Sequence, residues 1–408
     1  TADLSGSTGS AAYAGFFGKL SGAEIRNLTV NGTITGKDYT TTYMGGVAGY
    51  CKNTTLENCV NQAKLAVATY TAAPNYLVEK RVHRTGGVVG YAVDTQLARC
   101  ENKANVSGLA FFGGIAGTAT RVTFRQCVNS GDISYTATEL PVSGTCVTLG
   151  GVAALLRTGN RVLGCVNTGT ITVQVSHTAT NEKVDYNAMA GGLAALSHGY
   201  RAASPESNNV IENSCNRGAV SVSVDVTGAG SKRENAKAGG AVGNEYAGGL
   251  LVANFYNTGT VTASVRETGG NAMSGGVIGG GIKATGELIN VWYSGVRQPY
   301  GQTGPATQTN VTFFEPSDGV GAAMVTAFNA YQTEWSQYNA VWAAGADGYP
   351  VVTELTPLPA ELRTLSLGGK VIIDQEKRTI SAVFSGPGTD LSRVYVGYAE
   401  TSMAGATV

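Results

Sequence analysis

Gly113-Gly114-Ile115-Ala116-Gly117, followed by Val122-Thr123-Phe124-Arg125-Gln126-Cys127-Val128-Asn129 and then Ser130-Gly131-Asp132-Ile133, is the unit whose reading decides the fold. Two short apolar runs are separated by turn residues, and a third run opens at Ile133. Each run is too short for a helix and the right length for a strand. One such unit cannot bury its own apolar face, so copies of it must stack.

Eight copies align on the second glycine of the pair: Gly15, Gly46, Gly87, Gly114, Gly151, Gly192, Gly240 and Gly276. A second marker follows on the next strand: Leu28, Cys59, Cys100, Cys127, Cys165, Ser214, Phe255 and Val291. In the first four copies the two markers are 13 residues apart, and the sixth copy carries an insertion around Arg201 to Asn209. Constant spacing inside the copy with variable spacing between copies is the pattern of stacked coils with free outer loops.

Three further columns follow the second marker. Two residues on stand Asn61, Asn102, Asn129, Asn167, Asn216 and Asn257. Four residues on stand Gly32, Gly131, Gly169, Gly218, Gly259 and Gly295, with Ala63 and Ala104 filling in. Six residues on stand Ile34, Leu65, Val106, Ile133, Ile171, Val220 and Val261. Asn and Gly tolerate left-handed backbone, so the coil is expected to bend there. The Asn amides can bond the coil above and below, and the apolar column starts the next strand facing inward. The expected fold is all-β, a parallel solenoid of about eight coils. A propeller is disfavoured because the 27-residue step from Gly87 to Gly114 leaves no room for a four-stranded blade. Longer alternations such as Thr170 to Ser176 and Val220 to Asp225 are expected to extend the third strand into a flange.

Glycine is abundant at 57 of 408 residues, and 28 basic residues balance 28 acidic ones. That balance gives no reason to expect nucleic acid or an anionic membrane as a partner. No apolar run reaches the roughly 18 residues needed to span a bilayer. Seven cysteines, four of them at one repeat position, point to buried thiols acting as small hydrophobes. No Cys-x-x-Cys and no nearby His suggest a metal site. No cofactor or metal is expected.

Ala14-Gly15-Phe16-Phe17-Gly18-Lys19-Leu20 and Ile25-Arg26-Asn27-Leu28-Thr29-Val30-Asn31-Gly32 resemble the opening coil of GLUG-repeat proteins. The later Gly-Gly-Val-Ala-Gly and Asn-Cys-x-Asn segments, at Gly45 to Gly49 and Asn58 to Asn61, resemble them too. The resemblance covers roughly residues 11–300. It implies a right-handed parallel β-helix on a secreted or surface-anchored, adhesin-like bacterial protein. Some relatives carry an immunoglobulin-cleaving metallopeptidase domain, but His83, His177 and His198 are the only histidines, and none begins His-Glu-x-x-His.

The domain reading is a β-helix over 1–307, a helix-containing cap over 308–356 and a small β module over 360–408. In the cap, Val311 to Phe314 is a candidate last strand, and Gly321 to Trp335 has helical spacing through Met324, Val325, Phe328, Tyr331 and Trp335. Thr356-Pro357-Leu358-Pro359 reads as a linker. Beyond it, Lys370 to Asp374, Arg378 to Phe384 and Arg393 to Tyr398 alternate as strands, and the segment resembles the start of an immunoglobulin-like module. Its length is too short for a full sandwich, so either the fold is a smaller variant or the natural chain is expected to continue; the abrupt start in a coil leads to the same expectation of a longer chain at the N-terminus.

Glycan-cleaving enzymes on solenoids need facing carboxylates or an acidic calcium site. Glu57, Glu101 and Glu212 lie near equivalent turns but without repeated partners, and Asp94 and Asp132 stand alone. His198 follows Ser197 without a nucleophile elbow. Gly275 to Gly281 coincides with the repeat marker and lacks a phosphate-loop Lys. Tyr50 and Tyr91 occupy the same phase in adjacent copies. They can form a platform for a sugar ring or an aromatic ladder that staples coils together. The function expected is that of a non-catalytic, extracellular or cell-surface adhesin-like protein. It would bind host or dietary glycan, or a surface glycoprotein, through its loops. The alternatives are a polysaccharide lyase or glycoside hydrolase on the same fold, and a stalk that displays another domain.

Overall fold

A computed structural model describes residues 2–3, 11–36, 41–67, 82–107, 111–137, 145–180, 184–198, 207–229, 232–246, 248–266, 270–281, 286–302, 307–331, 338–357, 362–366, 370–374, 379–383 and 398–401. The chain forms two compact units, Thr1–Met324 and Val325–Val408.

The first unit is a parallel β-solenoid. Each coil supplies a strand to each of four sheets, and the coils pair in register with the coils before and after. An entry sheet of eight strands ends each strand on the glycine pair, as in Thr41–Gly45 and Val82–Gly86. An exit sheet of eight strands leaves that corner, as in Ala48–Lys52 and Val89–Val93. A ladder sheet of fourteen strands follows, and a return sheet of eight closes the coil, from Ala2–Asp3 to Val261–Val265. The expected flange strands are long, Ile171–Thr180 and Val220–Ala229, and pair in parallel over their whole length.

Like stacks on like, as the columns require. Cys59, Cys100, Cys127 and Cys165 are fully buried in one inward file, continued by Ser214, Phe255 and Val291. Backbone bonds run from Glu101 to the Cys59 carbonyl, from Val128 to that of Cys100, and from Val166 to that of Cys127. Six of the seven cysteines are free and buried, and the Cys146 side chain lies outside the described residues. The apolar column from Ile34 to Val261 also faces the core. The large sheet takes in a further strand, Thr307–Phe313, parallel to Glu287–Tyr293, so the expected last strand at Val311 belongs to the solenoid.

The asparagine column is a continuous amide ladder. Each Nδ2 donates to the next Oδ1 from Asn61 through Asn102, Asn129, Asn167 and Asn216 to Asn257, at 2.9, 2.8, 2.7, 2.8 and 2.7 Å in turn. Each also donates to a carbonyl two residues on, as Asn129 does to Gly131 at 2.9 Å. All six are fully buried. Here one expectation is corrected. These asparagines are not the left-handed bend. That conformation falls one residue before the Cys column, at Asn27, Asn58, Arg99, Gln126, Gly164, Asn213, Asn254 and Asn290, and again at Gly22, Asn53, Asp94, Arg121 and Gly159. Of the +4 glycines, Gly32 and Gly295 do take positive φ, of 96° and 84°, while Gly131, Gly169, Gly218 and Gly259 are needed for space: a Cβ on Gly131 would lie 2.0 Å from the Ala104 carbonyl oxygen.

A second correction concerns the first copy. Ala14 pairs with Met44, which places Gly15 beside Gly45 and Phe16 beside Gly46. Gly15 therefore matches the first glycine of the pair, and this coil turns its corner one residue shorter. Phe16, in the second-glycine place, is 59% exposed.

The helix expected from Gly321 to Trp335 is shorter, Gly321–Ala330, with Met324 and Phe328 buried; Trp335 lies outside the described residues. Within the second unit, Phe328 packs on Trp342 at 4.7 Å between centroids, and the Asn329 amide bonds both the N–H and the carbonyl of Trp342. Tyr338–Ala344 and Pro350–Pro357 form an antiparallel pair. Farther on, Lys370–Asp374 pairs with Thr379–Val383, and Leu362–Ser366 with Tyr398–Thr401, all antiparallel.

Candidate functional site

The corner between the entry and exit strands is built by glycine. A Cβ on Gly49 would lie 2.7 Å from the Tyr43 carbonyl oxygen, and one on Gly90 would lie 2.5 Å from the Met44 nitrogen. Without those methyls the two arms close to backbone contact, so side chains two or three residues from the corner on opposite arms meet one another.

Tyr50 and Tyr91 are register partners on the exit arm, as their shared phase implies. The entry arm brings Tyr13 and Tyr43 against them, also as register partners. Tyr13 stacks on Tyr43 at 5.3 Å between centroids, and Tyr43 on Tyr91 at 5.7 Å. Tyr50 meets Tyr13, Tyr43 and Tyr91 edge-on at 5.9, 6.2 and 5.6 Å. These offset and edge-to-face arrangements suit the ring quadrupoles. All four rings remain partly exposed.

Two cations frame the rings. Lys19, the exit-arm partner of Tyr50, holds Nζ 5.5 Å from the Tyr50 centroid and 6.0 Å from that of Tyr13. Arg84, the entry-arm partner of Tyr43, holds Cζ 5.3 Å from the Tyr43 centroid and 5.0 Å from that of Tyr91. Its Nη1 donates to the Tyr43 hydroxyl at 3.1 Å. Tyr91 shares a 3.3 Å hydrogen bond with Thr120, while the Tyr13 and Tyr50 hydroxyls bond no protein group among the described residues. Burial pushes the Tyr50 phenol above its ordinary value, with the neighbouring tyrosines adding to it. Burial pulls the Arg84 guanidinium below its ordinary value.

The carboxylates near the turns are dispersed. Glu57 is bonded by Arg26, at 3.2 Å, and by Arg99. Glu101 pairs with Lys103 at 3.2 Å, and Asp94 is bonded by Arg121 at 2.5 and 2.8 Å. Asp132 accepts the Thr170 N–H, and Glu212 is buried in the ladder sheet. His198 stacks on Tyr246 at 5.0 Å, His83 is buried in the entry sheet, and the His177 side chain lies outside the described residues. Gly275 and Gly276 form a solenoid corner that leads into the strand Ile278–Gly280. Among the described residues no group of three His, Cys, Asp or Glu side chains could hold a metal, and no helix is long and apolar enough to cross a membrane.

Tyr13, Tyr43, Lys19 and Arg84 were not legible as a site from the repeat alone. Tyr43 and Tyr50 are seven residues apart, and only the folding of one arm onto the other makes them neighbours. The usable signal was a second shared phase: Tyr13, Tyr43 and Arg84 each stand two residues before the first glycine of the corner.

No protein-family model matches the chain, and no curated protein matches it. Among solved structures, the chain is similar to one described as a "putative immunoglobulin A1 protease" from Bacteroides ovatus. The likeness has a TM-score of 0.31 and 13% identity, covering 81% of this chain and 75% of that one. A likeness that low carries no argument about activity.

Proposed function

We propose that the chain is a non-catalytic, extracellular solenoid that binds a glycan or a glycoprotein through the tyrosine corner. The observation that supports this reading most is the gathering of four partly exposed tyrosines from three coils onto one corner, two of them with hydroxyls that bond no protein group among the described residues. A sugar ring offers an apolar face to an aromatic ring and hydroxyls to a polar rim, and such sites combine apolar lining with a few placed polar groups. The setting agrees with the adhesin-like surface proteins that the GLUG-like repeat resembles.

The same ring contacts also staple the coils, and the two roles separate by substitution. Tyr50→Phe keeps the ring packing and removes a hydroxyl; Tyr50→Ala removes both. Glycan-array and mucin-binding measurements on the whole chain are expected to show binding that Tyr50→Phe weakens at unchanged thermal stability. Silence on every array, with the folded protein, would leave only a spacer role.

A further inference from the structure

Several cations elsewhere in the solenoid are matched with acids. Arg26 bonds Glu24 and Glu57, Arg121 bonds Asp94, and Arg266 bonds Asp225. Lys19 and Arg84 differ from these. Among the described residues neither meets a carboxylate, and each instead lies over two tyrosine rings. Asp94, the acid whose field reaches Tyr50, is itself held by Arg121.

Arg84 is the more costly of the two. Its Nε is buried without a hydrogen-bond partner, and Nη1 finds only the Tyr43 hydroxyl. Desolvation, together with the nearby positive charge of Arg157, disfavours its charged form. A desolvated guanidinium without a counter-ion is expensive, and aromatic faces offset only part of that cost. An anion brought to the corner would supply the rest, with the planar guanidinium matched to a two-oxygen acid.

We infer that the ligand of this corner is an acidic saccharide, one whose carboxylate or sulfate lies between Lys19 and Arg84 while its ring rests on the tyrosines. This rests on the glycan-binding reading above and narrows it. A neutral sugar would satisfy the hydroxyls of Tyr13 and Tyr50 but leave both cations uncompensated.

The test uses saccharides matched except for the acid: sialyllactose against lactose, oligogalacturonate against its methyl ester, and a sulfated oligosaccharide against its desulfated form. Affinities for the whole chain are measured by calorimetry at low and high salt. The acidic member of at least one pair is expected to bind about tenfold tighter or more, with the advantage shrinking as salt screens the charges. The pair that responds identifies which acid is read. Lys19→Gln, at an exposed position, is expected to cut the advantage severalfold at unchanged melting temperature, and Arg84→Lys to cut it by retaining charge without the fork. Equal affinity within every pair, lost in Tyr50→Ala, would keep the glycan reading and overturn the acidic one. An acidic preference untouched by Lys19→Gln and Arg84→Lys would also overturn it, by placing the anion elsewhere. No binding to any saccharide would overturn the glycan reading itself.

Discussion

Asn129 shows what one residue contributes in a stacked column. Its Nδ2 donates to Asn167 Oδ1 at 2.7 Å and to the Gly131 carbonyl at 2.9 Å, and its Oδ1 accepts from Asn102 at 2.8 Å. The ladder has one donor direction, and an amide can give two hydrogen bonds from its nitrogen while its oxygen receives another. Asn129→Asp would bury an acceptor-only group against Asn167 Oδ1 and orphan the Gly131 carbonyl. A loss of about 3–5 kcal/mol is expected, read from urea unfolding midpoints; a change below 1 kcal/mol would show that the ladder carries little. The thiol column makes a second prediction at this scale. Burial, helped by neighbouring Cys59, pushes the Cys51 thiol up to about 12, and the Cys59, Cys100 and Cys127 thiols are also raised. The unfolded chain releases those protons near pH 8.5, while the folded chain keeps them. The contribution is therefore fully present below that pH and is lost as pH rises toward the folded values. Stability should fall by about 1.4 kcal/mol per pH unit per thiol across this window. Cys51→Ala should flatten the slope by one proton's worth up to about pH 12; an unchanged slope would contradict the burial argument.

At the scale of the element, the corner is the demanding part. A Cβ on Gly114 would lie 2.2 Å from the Gly151 carbonyl oxygen and 2.3 Å from Asn129 Cγ, so Gly114→Ala must push apart both the next coil and the ladder. Gly22 has nothing within 4 Å of a Cβ and only a left-handed φ of 61° to satisfy. Gly22→Ala is thus expected to cost about 1–2 kcal/mol and Gly114→Ala to cost more than that, as overpacking against backbone does. Equal midpoints in thermal melts would contradict the assignment of Gly114 to close approach. The corner also marks where sequence reading succeeded and where it stopped. Inward columns such as Cys59 to Cys165 were legible because a parallel stack repeats one environment at one phase. The location of the bend was not, since Asn serves both as the buried ladder at Asn129 and as the left-handed residue at Asn58, and residue type alone does not separate them. The one-residue slip at Gly15 was hidden because a lone glycine can stand for either member of the pair. Half of the tyrosine cluster was legible, as Tyr50 and Tyr91 share a strand position; Tyr13 and Tyr43 came from the other arm, whose approach depends on Gly49 and Gly90.

For the whole solenoid, stability is a sum over coils and the interfaces between them. Excising residues 114–150 would join Gly113 to Gly151 and bring the coil of Cys100 onto that of Cys165, with every column still meeting its own kind. The shortened chain is expected to fold cooperatively with a lower melting temperature; a chain that no longer folds would mean that the coils are not interchangeable. The most direct test of like upon like is a distance. Thr33 and Lys64 are exposed register partners one coil apart in the return sheet, while the described native thiols are buried and resist labelling. Spin labels on Thr33→Cys and Lys64→Cys should show strong dipolar broadening, because parallel neighbours place their Cα atoms about 4.8 Å apart. An unbroadened spectrum, identical to the sum of the two single labels, would contradict the stacking of successive copies.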